Sequence, residues 1–268
     1  MKNLHDKVVV ITGAASGIGR ALAFGASGQG AKLALCDVDE KGLAETAELT
    51  GSADVITAKV DVSQRYQVEA FRDQTVKQYG HADLVINNAG VAVSQTAEDV
   101  TYEDFEWIMG INFWGVVYGS KAFLPILKTR PEAGLVNISS VFGIISVPTQ
   151  STYNASKFAV RGFTEALRHE MADTNLHVMC VHPGGIKTNI ARAARMYVSP
   201  DGNTDKEKGA ATFDRLARTT PEEAARKIYK DLGKRKGRCL IGKDAVAIDT
   251  LQRSMPEGYW KLAGRLFK

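Results

Sequence analysis

Cysteine is scarce in this chain. Cys36, Cys180 and Cys239 are the only three among 268 residues, and none stands at metal-ligand spacing from another. That excludes a disulfide framework and a cysteine-based metal centre, and no metal site is expected. With Cys36 and Cys180 inside apolar, strand-like runs, the scarcity implies a reduced, cytoplasmic setting. Excess charge of one sign is missing too. A formal net charge of +4 is too mild for a general nucleic-acid affinity. Long apolar runs are absent. The longest, Trp107–Tyr118, is too short to span a bilayer and contains Asn112, so a helix buried on most faces is expected there. There is no internal repeat or low-complexity tract. No apolar leader precedes the first strand pattern at Lys7, so none is expected. What remains is 44% hydrophobic and 24% charged, a soluble composition at a length that suits one α/β domain with a sizeable core.

Read in order, the chain alternates short β-branched runs with helical patterns. Strands are expected at 7–12, 31–36, 54–60, 83–86, 134–139, 176–181 and 238–241. Helices are expected between them, among them one capped by Ser63, one long helix over 102–128 and one over 151–172. Such alternation predicts a parallel sheet with helices on both faces. The first strand runs into Gly13, Ser16, Gly17, Ile18 and Gly19, and then a helix. Glycines let a backbone approach a pyrophosphate, and a helix N-terminus favours its charge. A ligand-free tight turn has the same layout. Asp37 ends the second strand eighteen residues after Gly19. That suits a carboxylate on an adenosine ribose, and equally a simple helix cap. No arginine or lysine occupies positions 14, 15 or 38, which favours NAD over NADP. Asn88, Ala89 and Gly90 close the fourth strand at the edge where open α/β sheets bind ligands.

One stretch carries chemistry. Tyr153 and Lys157 are spaced i,i+4, hence on one helix face, with Ser140 thirteen residues upstream. A lysine ammonium near a phenol favours the phenolate, so the tyrosine is expected to titrate below its free value of about 10 and to serve as an acid–base group. Ser140 is placed to hydrogen-bond the reacting oxygen.

These residues resemble the short-chain dehydrogenase/reductase family over roughly 5–245. Thr12–Gly19 looks like its cofactor loop, Asn87–Gly90 like its NNAG turn, Pro183-Gly184 like its PG turn, and Asn112, Ser140, Tyr153 and Lys157 like its catalytic tetrad. The resemblance implies a single Rossmann-like domain over 1–268, a doubly wound parallel sheet of about seven strands, and assembly as a homodimer or homotetramer through the two long helices. It implies an NAD cofactor, NADP being the lesser alternative, held also by Asp61, Val62, Ile186 and Thr188. It assigns Tyr153 as general acid/base, Lys157 to the nicotinamide ribose, and Asn112 to a water that links Lys157 to solvent. A dinucleotide sensor without catalysis and a methyltransferase are the competing classes. Neither has a use for the full tetrad.

Val141, Phe142, Ile145, Val147, Ile190 and Met196 are expected to line the substrate pocket. They are apolar, which favours a hydrophobic secondary alcohol or ketone. Residues 190–220 have apolar ends and a polar, turn-rich middle, the pattern of a lid. In the tail, 243–268, the residues Tyr259, Leu262, Ala263, Leu266 and Phe267 recur at helical spacing among Lys261, Arg265 and Lys268. The tail is expected to dock on protein, in preference to an anionic membrane surface.

Overall fold

The computed structural model describes residues 1–200 and 202–264. The elements run β1 (Val8–Thr12), α1 (Gly17–Ser27), β2 (Lys32–Asp37), α2 (Glu40–Leu49), β3 (Val55–Lys59), α3 (Arg65–Tyr79), β4 (Leu84–Asn87), β5 (Val93–Ser94) and α4 (Tyr102–Met109). A π turn (Gly110–Trp114) leads directly into α5 (Gly115–Lys128). Then come β6 (Ala133–Ile138), a 3₁₀ turn (Val141–Gly143), α6 (Ser151–Glu170), β7 (Leu176–Pro183), α7 (Ile190–Ala193), β8 (Arg195–Met196), α8 (Lys206–Leu216), α9 (Pro221–Gly233), β9 (Arg238–Ile241), α10 (Lys243–Ser254) and α11 (Tyr259–Ala263).

Seven strands form one all-parallel sheet in the order β3-β2-β1-β4-β6-β7-β9. Parallel strands need crossovers, and helical crossovers cover both faces, so the central strands are apolar on both sides. β1 shows this: all five residues are buried, with Val9 and Ile11 in the core against α1 and α9, and Val10 in the core against α3 and α5. Each such side chain contributes roughly 1.5–3 kcal/mol by leaving water. The chain steps outward from β1 in both directions, to β2 on one side and β4 on the other. This reversal opens a crevice at the carboxyl ends of the strands, where ligands of such sheets bind. At the opposite edge the fully buried Asp83 accepts the Val8 amide at 3.0 Å and the Arg130 Nε at 2.8 Å.

Three local readings are corrected. Ser63 does not cap α3; Gln64 holds that position, and Ser63 instead donates its hydroxyl and amide to Asp61. The long helix is interrupted by the π turn that carries Asn112. The polar stretch after residue 201 becomes α8, because Asp205 caps it by accepting the Glu207 and Lys208 amides. The capping box Thr220/Glu223 starts α9 as its sequence requires. Among the described residues no helix is long and apolar enough to cross a membrane. The tail packs on its own chain: Tyr259, Trp260 and Ile248 meet Ile144, Ile145 and Val147. Arg265, Leu266, Phe267 and Lys268 lie outside the described residues, as do Asp201 and the Ala263 side chain.

Candidate active site

Four chain segments meet at the carboxyl edge of the sheet. The first is the turn after β1. Gly13 has φ +67°, and a Cβ on Gly19 would lie 2.0 Å from the Gly13 carbonyl oxygen, so the turn closes only with glycine at both places. The turn is stitched to its neighbours. The Ala15 amide donates to Asp37 Oδ2 at 2.9 Å, and the Asn88 side chain donates to the Thr12 and Gly13 carbonyls at 3.0 Å each. The Asn88 and Ala89 amides both donate to Thr12 Oγ1. Ser16 at the N-cap of α1 makes no side-chain cap, and no acidic residue follows in the first turn. The N-terminal amides of α1 are therefore left to an anion, and this cradle fits a pyrophosphate. Ile18 turns inward onto the core.

Asp37 stands beside this turn, its Oδ1 accepting the Asp39 amide at 3.0 Å. Asp39, rather than Asp37, caps α2. Arg20, which pattern reading passed over, lies next to it. Its guanidinium is bound to the Ala15 and Gly42 carbonyls and Thr46 Oγ1. Farther along the edge, the Asp61 carboxylate is held by Ser63, and the Val62 side chain is buried against Gly115.

The acid–base group sits on α6. Tyr153 lies close enough to Ser140 for the Ser140 hydroxyl to pull its pKa down, and the Phe142 ring meets the Tyr153 ring edge-on at 6.0 Å. Ser140 Oγ also accepts the Phe142 amide at 3.1 Å. Lys157 is buried, with Nζ 5.6 Å from the centre of the Tyr153 ring and donating to the Ile138 carbonyl at 3.2 Å. Gly90 packs closely here: a Cβ would lie 3.3 Å from Asn112 Oδ1 and 3.4 Å from Lys157 Nζ. Burial pushes the Tyr153 phenol up to about 12, against a downward pull from Ser140. The same burial brings Lys157 down to about 8. The expectation of a depressed tyrosine is thus reversed in the protein alone: desolvation outweighs the downward pull of Ser140, and the lysine ammonium is itself disfavoured by burial.

Asn112 is held by its side chain. Oδ1 accepts the Val91 amide at 2.8 Å, and Nδ2 donates to the Val91 carbonyl at 3.0 Å and to Ser156 Oγ at 3.1 Å. Both amide hydrogens are committed, so the side chain fixes the π turn.

The fourth segment is the turn after β7. The Gly184 amide donates to the Ile241 carbonyl at 2.9 Å, Ile186 is buried and bridges to Thr219, and the Thr188 methyl sits 3.1 Å from where a Cβ on Gly17 would be. This turn therefore reaches back over the pyrophosphate cradle. Of the expected pocket residues, Phe142, Ile190 and Met196 remain half-buried, with Met196 packed on Gly209 of α8. Val141 is buried beside Ser140. Ile145 and Val147 do other work, because the tail covers them.

His182 had no role in the sequence reading. It is wholly buried, and Nδ1 lies 3.0 Å from the Ser140 carbonyl oxygen, so Nδ1 carries the hydrogen that the oxygen accepts. Burial lowers its pKa to about 4, and that of His177, likewise buried, to about 4. Unfolded histidines titrate near 6.5. Below that pH the unfolded chain binds the extra protons, so stability is full above about 6.5 and declines as pH falls toward 4. Thermal melts between pH 7 and 4.5 are expected to show this decline, and His182→Gln to flatten it. An identical slope in the variant would clear His182 of any part in it.

The family pattern described as short chain dehydrogenase matches residues 7–197. The SadH protein of Mycobacterium tuberculosis is 48% identical over 267 residues, covering 98% of this chain and 95% of its own. A short chain dehydrogenase/reductase from Burkholderia phymatum, solved in complex with NAD, superposes with a TM-score of 0.87 at 32% identity, over 96% of each chain. Levodione reductase superposes with a TM-score of 0.81 at 29% identity, over 92% of this chain and 99% of its own.

Proposed function

Because the chain belongs to the short-chain dehydrogenase family and is an oxidoreductase acting on CH–OH groups with NAD(P), we propose that it oxidises or re-forms a hydrophobic secondary alcohol, prefers NAD, and uses Tyr153 as its acid–base group. The observation that carries this reading is the convergence of Ser140, Tyr153 and the buried Lys157, whose Nζ lies 5.6 Å from the centre of the Tyr153 ring. The nicotinamide, when bound, supplies or accepts the hydride. Everything else falls to this chain. Ser140 orients the substrate oxygen. Tyr153 removes the alcohol proton in one direction and returns it to the carbonyl in the other. Lys157 favours the phenolate and holds the nicotinamide ribose, while Gly13, Gly17 and Gly19 admit the pyrophosphate and Pro183 to Thr188 cover the nicotinamide.

The substrate class follows from which charges near the pocket are already paired. In the 190–220 segment Arg195 donates to Asp104 at 2.7 Å with its guanidinium 3.8 Å over the Trp107 ring, and Arg192 pairs with Asp214. With these cations paired, Phe142, Ile190 and Met196 present apolar surface to an uncharged ketone. Levodione reductase, by its name, acts on a carbonyl compound, which agrees. NADH oxidation with a panel of hydrophobic ketones tests the reading. No turnover with any ketone, despite tight NADH binding, would favour a dinucleotide sensor instead.

For the cofactor, the Asp37 carboxylate would face a 2′-phosphate, and Arg20, the nearby cation, is tied to backbone carbonyls. NAD is expected to exceed NADP in kcat/KM. Asp37→Ala should narrow that gap by roughly tenfold, the worth of one charge-assisted hydrogen bond. Equal use of both cofactors by the unmodified enzyme would end this argument.

A further inference from the structure

The tail beyond Ile241 touches both loops that flank the reacting centre. At its start Asp244, in the first turn of α10, accepts the Gly185 amide on Oδ2 at 2.7 Å. The backbone on either side is cleared for that carboxylate. A Cβ on Gly184 would lie 2.2 Å from Asp244 Oδ2, and one on Gly242, at φ +95°, 2.1 Å from Oδ1. At its far end the Tyr259 hydroxyl accepts the Ser146 amide at 2.9 Å. Between these anchors Ile248, Tyr259 and Trp260 cover Ile144, Ile145 and Val147. One continuous segment therefore connects the Pro183–Thr188 turn with the loop that begins at Ser140. The stretch matched by the family pattern ends at residue 197, so the segment lies wholly beyond it.

We infer that the segment 243–260 is a clamp that sets the gap between the cofactor turn and the Ser140 loop, with Asp244 and Tyr259 as its positioning residues. Neither residue touches a reacting atom. Asp244 acts through Gly185 on the turn over the nicotinamide, and Tyr259 acts through Ser146 on the loop that carries Ser140. This inference rests on the proposed assignment of those two loops to cofactor and substrate.

The test separates the two anchors by hydrogen–deuterium exchange of the full chain without cofactor. Asp244→Ala is expected to speed exchange at Gly185 and its neighbours by ~10-fold, the loss of one hydrogen bond to a charged group, with 140–147 unchanged. Tyr259→Phe should do the converse. Asp244→Asn keeps an acceptor oxygen in place and should restore most of the protection, whereas a general loss of packing would not be rescued. In NADH titrations Asp244→Ala should weaken binding by a similar ~10-fold factor, and Tyr259→Phe should leave NADH affinity intact while raising the ketone KM. Unchanged exchange at Gly185 in Asp244→Ala, or acceleration spread evenly over the whole chain in both variants, overturns the clamp. If the unmodified protein bound no NADH, the functional reading would fall, while the exchange pattern would still decide whether the clamp exists.

Discussion

Tyr153→Phe is expected to cut turnover by ~10²–10⁴-fold, the range typical of a lost general acid–base group, with dinucleotide affinity nearly unchanged. The substitution removes one hydroxyl and little volume. The ring keeps its edge-on contact with Phe142 at 6.0 Å, and the Ser140 hydroxyl keeps the Phe142 amide as a partner, so the fold loses little. The chemistry loses the proton donor at the substrate oxygen, and Ser140 is no substitute, because an aliphatic hydroxyl is far too weak an acid. Single-turnover hydride transfer gives the rate, and quenching of NADH fluorescence gives the affinity. Retention of most of the turnover would remove Tyr153 from the acid–base role.

Lys157→Met should have the next largest effect, read as a displaced pH profile. Alcohol oxidation needs the phenolate, so its rate rises with pH, and ketone reduction needs the phenol, so its rate falls. Burial, against a smaller pull from Ser140, holds Tyr153 at about 12, and burial brings Lys157 to about 8. Groups this close titrate as a pair. A protonated Lys157 favours the phenolate, and a phenolate in turn keeps the lysine protonated. Methionine fills the same space without the charge. The apparent pKa for oxidation should therefore move up. The rate at pH 8 should drop by at least roughly tenfold, because a phenol that much harder to ionise leaves a tenth as much phenolate. An unmoved profile with cofactor saturating would show that Lys157 plays no electrostatic part.

Much of this was legible in the residues themselves. KVVVIT reads as a buried strand because its neighbours are β-branched and apolar. The glycines after it read as a phosphate turn, and Tyr153 with Lys157 as one helical face, because these signals depend only on short spacing. The alternation of such pieces fixes a parallel sheet, since parallel neighbours require crossovers. Local pattern also misled where a nearer partner competed. Asp61 took the Ser63 hydroxyl that would have capped α3, and Asp205 made a helix out of a polar stretch that read as turns.

Tertiary structure decided the rest, because the deciding partners are far apart in the chain. Asn112 answers to Val91 and Ser156, His182 to Ser140, and Gly185 to Asp244. No spacing rule links such positions; each pairing exists only once the sheet has brought the strand ends to one edge. Ile145 and Val147 look like pocket residues until α10 and α11 cover them. The direction in which the Tyr153 pKa moves is likewise a property of the whole fold. A lysine one turn away can be read from the sequence, but desolvation sums over every neighbour that excludes water, and here that sum raises the Tyr153 pKa.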